Sequence, residues 1–86
     1  MKTIILYHPK SEFARSVEEY AHDFERQKGV EIDLTSLETK EGAYRATLYG
    51  IVKYPALLVL RDNNDLINKW EGVPLPLMNE VAGYLA

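Results

Sequence analysis

The segment Tyr49-Gly50-Ile51-Val52-Lys53-Tyr54-Pro55-Ala56-Leu57-Leu58-Val59-Leu60 constrains this chain more than any other. It reads as the end of a helix, a glycine turn, a proline and then an unbroken apolar run. Such a run is expected of a strand buried on both faces. Proline has no N–H to give to a sheet ladder, so within a sheet it is confined to edges, bulges and strand starts. Pro55 therefore marks where a core strand begins, and the residues before it form a shaped loop at one end of a sheet. A second fact limits the chemistry that loop can serve: the 86 residues include no cysteine. Disulfides, thiolate catalysis and cysteine-ligated zinc are excluded for these residues.

The rest of the chain supplies neighbours for that strand. Thr3 to Tyr7 is another continuous β-rich run, expected to be central and buried on both faces. His8-Pro9-Lys10 is a loop, Ser11 suits a helix N-cap, and the charge of Glu12 suits a helix N-terminus. Phe13, Val17, Tyr20, Ala21 and Phe24 then recur at helical spacing until Gly29 ends the helix. Val30, Ile32 and Leu34 alternate with Glu31 and Asp33, which predicts a half-buried strand at a charged sheet edge, with Thr35 to Thr39 as a loop.

A second helix is predicted from Lys40 to Tyr49, with Ala43, Tyr44 and Leu48 inward and Gly42 weakening it. After the strand Ala56 to Leu60, the turn-forming residues Arg61 to Asp65 predict a hairpin, and Leu66 to Trp70 return as a fourth strand. Pro76 fits the first turn of a last helix, striped by Met78, Val81, Ala82 and Leu85. The order βαβ, helix, β-hairpin, helix predicts one α/β domain over 1–86. Its four-stranded mixed sheet carries helices on both faces, and its first two strands are parallel because a helix crosses between them.

Composition narrows the function classes. Hydrophobic residues make up 47% of the chain, enough for a packed core. A net charge of −3 argues against a nucleic-acid surface, which needs clustered basic residues. No apolar run reaches the length of a membrane span. The amino-terminal apolar run lacks a small-residue cleavage site and reads as a strand, so the expected location is cytoplasmic. Two histidines, His8 and His22, are too few for a metal site, and none is expected.

The segment from Tyr49 to Leu60 resembles the thioredoxin pattern, in which a cis proline opens the third strand. Leu6-Tyr7-His8-Pro9-Lys10-Ser11-Glu12-Phe13-Ala14 resembles the glutaredoxin segment whose helix begins Cys-Pro-Tyr-Cys. The resemblance spans essentially the whole chain and implies the thioredoxin-like fold. It places Ser11 and Ala14 where the two cysteines would stand, so disulfide exchange on these residues is excluded by chemistry. Ile5 stands where thioredoxins keep a buried carboxylate. The glutaredoxin resemblance also implies glutathione contacts from the backbone of Tyr54 and from a Gly-Gly and Asp motif after the fourth strand. That motif reads Glu71-Gly72-Val73-Pro74-Leu75 here, with one glycine and no Asp.

Ser11-Glu12-Phe13-Ala14-Arg15-Ser16-Val17 is also similar to the Ser-Pro-Phe-Ala-Arg-x-Val segment of glutathione transferases. That resemblance implies glutathione as a ligand, with the Ser11 or Tyr7 hydroxyl polarising its thiol. The transferase Glu-Ser pair after the fourth strand is not present, nor is the all-helical second domain. Each residue also has a plainer role: Ser11 as a cap, Tyr7 as a core tyrosine, His8 as a solvated loop histidine, and Lys10, Arg15 and Lys53 as a solvated rim.

The expected function is non-catalytic. A protein segment or small ligand would bind the edge formed by Ser11, Glu12, Phe13, Tyr54, Pro55, Gly72 and Val73. An extended peptide there would pair with the backbone beside Pro55. The alternatives are a glutathione-dependent activity through Ser11 or Tyr7, and a structural domain that forms a homodimer through an outer strand or Trp70. Monomer and homodimer both fit the sequence.

Overall fold

The two apolar runs lie side by side at the centre of one sheet. In the computed structural model, which describes residues 1–85, β1 (Lys2–Tyr7) pairs antiparallel with β3 (Ala56–Leu60). β2 (Asp33–Ser36) joins β1 in parallel, and β4 (Leu66–Glu71) joins β3 antiparallel, giving the order β2-β1-β3-β4. The register of the hairpin shifts between Val59 and Leu60, so that Val59 pairs with Asn68 and Leu60 with Leu66.

Strand alternation divides the core in two. Ile5, Tyr7, Leu57 and Val59 face α1 (Ala14–Lys28) and α3 (Met78–Ala82), meeting Val17, Ala21, Phe24 and Val81. Ile4, Leu6, Leu58 and Leu60 face the opposite way, toward α2 (Lys40–Leu48), and meet Ala46 and Ile51. The apolar side chains from Ile4 to Leu6 and from Leu57 to Leu60 are fully buried, each worth about 1.5–3 kcal/mol of transfer free energy.

Four sequence expectations are corrected. Ser11 is not the cap of the first helix. Its amide and its hydroxyl both donate to the His8 carbonyl, at 3.0 and 2.8 Å, which closes a turn. A second turn follows, in which Ala14 N–H donates to Ser11 O. The first helical bond runs from Val17 N–H to Phe13 O. α1 thus begins one turn late, capped at Phe13 without a side-chain bond and with no acidic residue in its first turn, so Glu12 lies outside it. Both turns lie between the end of β1 and the start of α1.

The second strand also lies later than its alternation suggests. Ile32 is buried, but pairing with β1 begins at Asp33 and continues through Thr35 opposite Leu6, up to Ser36 opposite Tyr7. The register available along β1 decides the strand, and Thr35, expected in a loop, is buried within it.

α2 turns a different face inward. Gly42 and Ala46 are its buried residues, whereas Ala43 is exposed and Tyr44 and Leu48 are 65% and 54% exposed. A Cβ on Gly42 would lie 1.9 Å from the Ser36 carbonyl oxygen. The glycine expected to weaken the helix is what lets its backbone touch the end of β2. Thr39 caps this helix, its hydroxyl oxygen accepting from Gly42 N–H at 3.0 Å.

Pro76, finally, precedes α3 rather than starting it. It is buried, and its carbonyl accepts a 2.7 Å hydrogen bond from the Tyr20 hydroxyl. No helix is long and apolar enough to cross a membrane among the described residues.

Candidate functional site

Pro55 is fully buried at the start of β3, and the Tyr54–Pro55 bond is cis. Its carbonyl accepts from Gly72 N–H at 2.8 Å, which brings the end of β4 against the start of β3. Gly72 adopts φ +79°, a conformation that side-chain-bearing residues rarely reach. The Val73–Pro74 bond that follows is also cis, which the sequence reading did not foresee.

Tyr54 stands at this edge, half-buried. Its hydroxyl donates to the Ile51 carbonyl at 3.2 Å, and its ring meets the His8 ring edge-on with centroids 5.5 Å apart. It is therefore both a wall and a capped residue. Among the described residues, no hydrogen bond occupies its main-chain N–H or carbonyl.

Two adjoining hollows flank this point and share Phe13 and Pro55. The smaller, about 260 Å³, is lined by Tyr7, His8, Ser11, Phe13, Tyr54 and Pro55. The larger, about 440 Å³, runs from Phe13, Val17 and Tyr20 across Pro55 to Val73, Pro74 and Leu75. A third hollow of about 240 Å³ lies on the far side of His8 and Tyr54, against Ala43, Ala46 and Thr47 of α2. The fold thus brings Ser11, Phe13, Tyr54, Pro55 and Val73 around one edge. Glu12 is exposed and lines neither of the first two hollows, and Gly72 acts through its backbone.

The two hydroxyls considered as thiol activators are both engaged. The Ser11 hydroxyl donates to the His8 carbonyl. The Tyr7 hydroxyl faces the Glu18 carboxylate at 3.5 Å. Burial, together with the adjacent Glu18 charge, pushes the Tyr7 pKa above that of a free tyrosine. A carboxylate beside the hydroxyl also repels a bound thiolate.

The rim cations do not converge. Arg15 pairs with Glu19 at 3.1 Å on the exposed side of α1, and Lys53 lies against Gly72. Trp70 is half-buried on the sheet face that α1 and α3 cover. There its indole N–H donates to Glu80 at 2.8 Å and its ring meets Tyr84, away from Tyr54.

Sequence reasoning missed Glu71. One of its carboxylate oxygens accepts the main-chain N–H groups of Val52 and Lys53, at 2.7 and 3.2 Å. These backbone bonds, more than its neighbour Lys69, hold its pKa below the usual carboxylate value. The available signal was alternation: with Trp70 on one sheet face, Lys69 and Glu71 must share the other.

No protein-family model matches the chain, and no curated protein matches it. Among solved structures it is similar to thioredoxin 1 from the thermophilic eubacterium Thermosipho africanus TCF52B. The match has a TM-score of 0.69 at 12% identity and covers 99% of this chain and 94% of that one. The likeness lies in the path of the backbone, and the fold of this chain is thioredoxin-like.

Proposed function

We propose that this domain binds an extended protein segment at the Tyr54–Pro55 edge, without covalent chemistry. The observation that carries the reading is the main chain of Tyr54, free of internal hydrogen bonds, beside one largely apolar hollow that it lines and a second that opens across Pro55. An extended peptide pairing there gains main-chain hydrogen bonds. Its alternate side chains enter the hollows beside Phe13 and Val73, which is recognition by β-augmentation. Val73 is 53% exposed at this rim and so is accessible to a bound segment. The likeness in fold to a thioredoxin supports an edge of this kind, and the absence of cysteine restricts it to binding.

The test is a selection of random heptapeptides displayed on phage against the immobilised chain, followed by titration of the tightest free peptide. Val73→Asp and Tyr54→Ala are expected to weaken it about tenfold or more, equivalent to about 1.4 kcal/mol, with the fold intact by circular dichroism. Unchanged affinity in both variants, or a selection that yields no binder, contradicts the proposal. Reduced glutathione titrated in parallel separates the small-ligand reading. Saturable binding lost in Ser11→Ala would favour it over a peptide.

A further inference from the structure

Ahead of Tyr54 the chain runs through the segment 49–53 with almost no regular structure, yet its backbone is gripped at both ends from β4. The Lys69 ammonium donates to the carbonyls of Tyr49 and Gly50 at 3.2 and 3.4 Å. These carbonyls close the C-terminus of α2, where the last carbonyls of a helix lack internal partners and a cation is favoured. Two residues along the same strand, Glu71 accepts from Val52 and Lys53 N–H, as described above. The two side chains also meet each other at 3.4 Å.

Alternation explains the arrangement. Lys69 lies opposite Leu58 and Glu71 opposite Ala56, both on the α2 side of the sheet, so the pair projects together toward the loop. An ion pair at this exposure adds little by itself. Its effect lies in the four backbone groups that it satisfies, two donors and two acceptors, in a segment that has no ladder of its own.

We propose that Lys69 and Glu71 are positioning residues: they bracket the backbone of residues 49–53 and so fix where Tyr54 stands at the binding edge. The link is short. Tyr54 follows Lys53 directly, its hydroxyl is tied to Ile51 within the bracketed segment, and its ring rests on His8. Loss of the bracket shifts the Tyr54 ring and main chain while leaving the strands paired. For ligand affinity the inference rests on the proposed function; for the position of Tyr54 it does not.

The experiment is amide exchange and ring-contact NMR on the full chain and three variants: Glu71→Ala, Glu71→Gln and Lys69→Met. Glu71→Ala is expected to lower protection of the Val52 and Lys53 amides about tenfold or more relative to Leu58 in β3, and to abolish the cross-relaxation between the Tyr54 and His8 rings. Glu71→Gln keeps a carbonyl acceptor and is expected to retain both signals. A purely electrostatic role of the charge would not survive that change. Lys69→Met is expected to move the carbonyl-carbon shifts of Tyr49 and Gly50.

Should Glu71→Ala fail to fold, the other two variants decide. Unmoved carbonyl carbons in Lys69→Met, or amides freed in Glu71→Gln as fully as by denaturation, overturn the bracket. An unmoved Tyr54 ring in a folded Glu71→Ala overturns it as well, whether or not any peptide binds. A displaced ring in a chain that binds no peptide leaves the bracket standing and removes the proposed function instead.

Discussion

The two faces of the sheet are closed by opposite means. On one, α1 fills space with large side chains, Phe24 and Val17 being fully buried against Ile5, Leu57 and Val59. On the other, α2 comes close by having almost no side chain at its contact, Gly42 against the Ser36 carbonyl and Ala46 beside the core. The first face is a volume problem and the second a distance problem. Of the three hollows around Tyr54 and Pro55, only the one of about 240 Å³ lies against α2, while the largest is lined by Val17 and Tyr20 of α1. On the α2 side, the polar grip of β4 on the segment 49–53 adds to a contact made by backbone proximity.

The sharpest way to break the comparison is by subtraction on the α1 face. Phe24→Ala is expected to cost about 3–5 kcal/mol in chemical denaturation, through lost transfer energy and the cavity left behind. In a small domain that is a large part of the total stability. On the α2 face the damaging change is addition. Gly42→Ala, elsewhere in a helix a stabilising substitution, is expected to cost about 1–3 kcal/mol here, because the new methyl group meets a backbone oxygen that cannot rotate away. A Gly42→Ala chain as stable as the original would show that α2 can slide, and the contrast would fall.

A smaller effect tests how the α1 face is tied to the segment before α3. Tyr20→Phe removes the hydroxyl that donates to Pro76 and is expected to cost about 0.5–1.5 kcal/mol. Burial, then the nearby Glu80 charge, pushes the Tyr20 pKa up to about 12 from 10.0. The folded chain therefore holds this proton more tightly than the unfolded one. Its contribution is complete below about pH 10 and declines as the pH rises toward 12. Denaturation midpoints across that range are expected to fall more in the original chain than in Tyr20→Phe. The smallest effects belong to the outer side of α2, where Tyr44→Ala and Leu48→Ala are each expected to change stability by less than about 0.5 kcal/mol. Larger losses would mean that this stripe is covered in solution.

The same contrast explains what the sequence made legible. β1 and β3 are evident because their burial follows from local apolar runs, β4 because the turn residues Arg61 to Asp65 precede it, and the end of α1 because Gly29 closes it. The inward side of α2 was not, because its cause lies in the backbone of a distant residue: nothing near Gly42 announces the Ser36 carbonyl. The register of β2 was misplaced for a similar reason, since Val30, Ile32 and Leu34 alternate convincingly while β1 pairs with Asp33 to Ser36. At the site, Pro55 and Tyr54 stood out through proline chemistry. Glu71 did not, because a carboxylate that accepts main-chain N–H groups looks in sequence like any solvated charge.

We propose the Tyr54–Pro55 edge, and not the exposed stripe of α2, as the surface that takes a partner. The most direct measurement is an amide chemical-shift map of the full chain titrated with the display-selected heptapeptide. The largest shifts are expected at Phe13, Tyr54 and Val73, with Tyr44 and Leu48 unmoved. Shifts centred on Tyr44 and Leu48, with the Tyr54 amide silent at saturation, would contradict it.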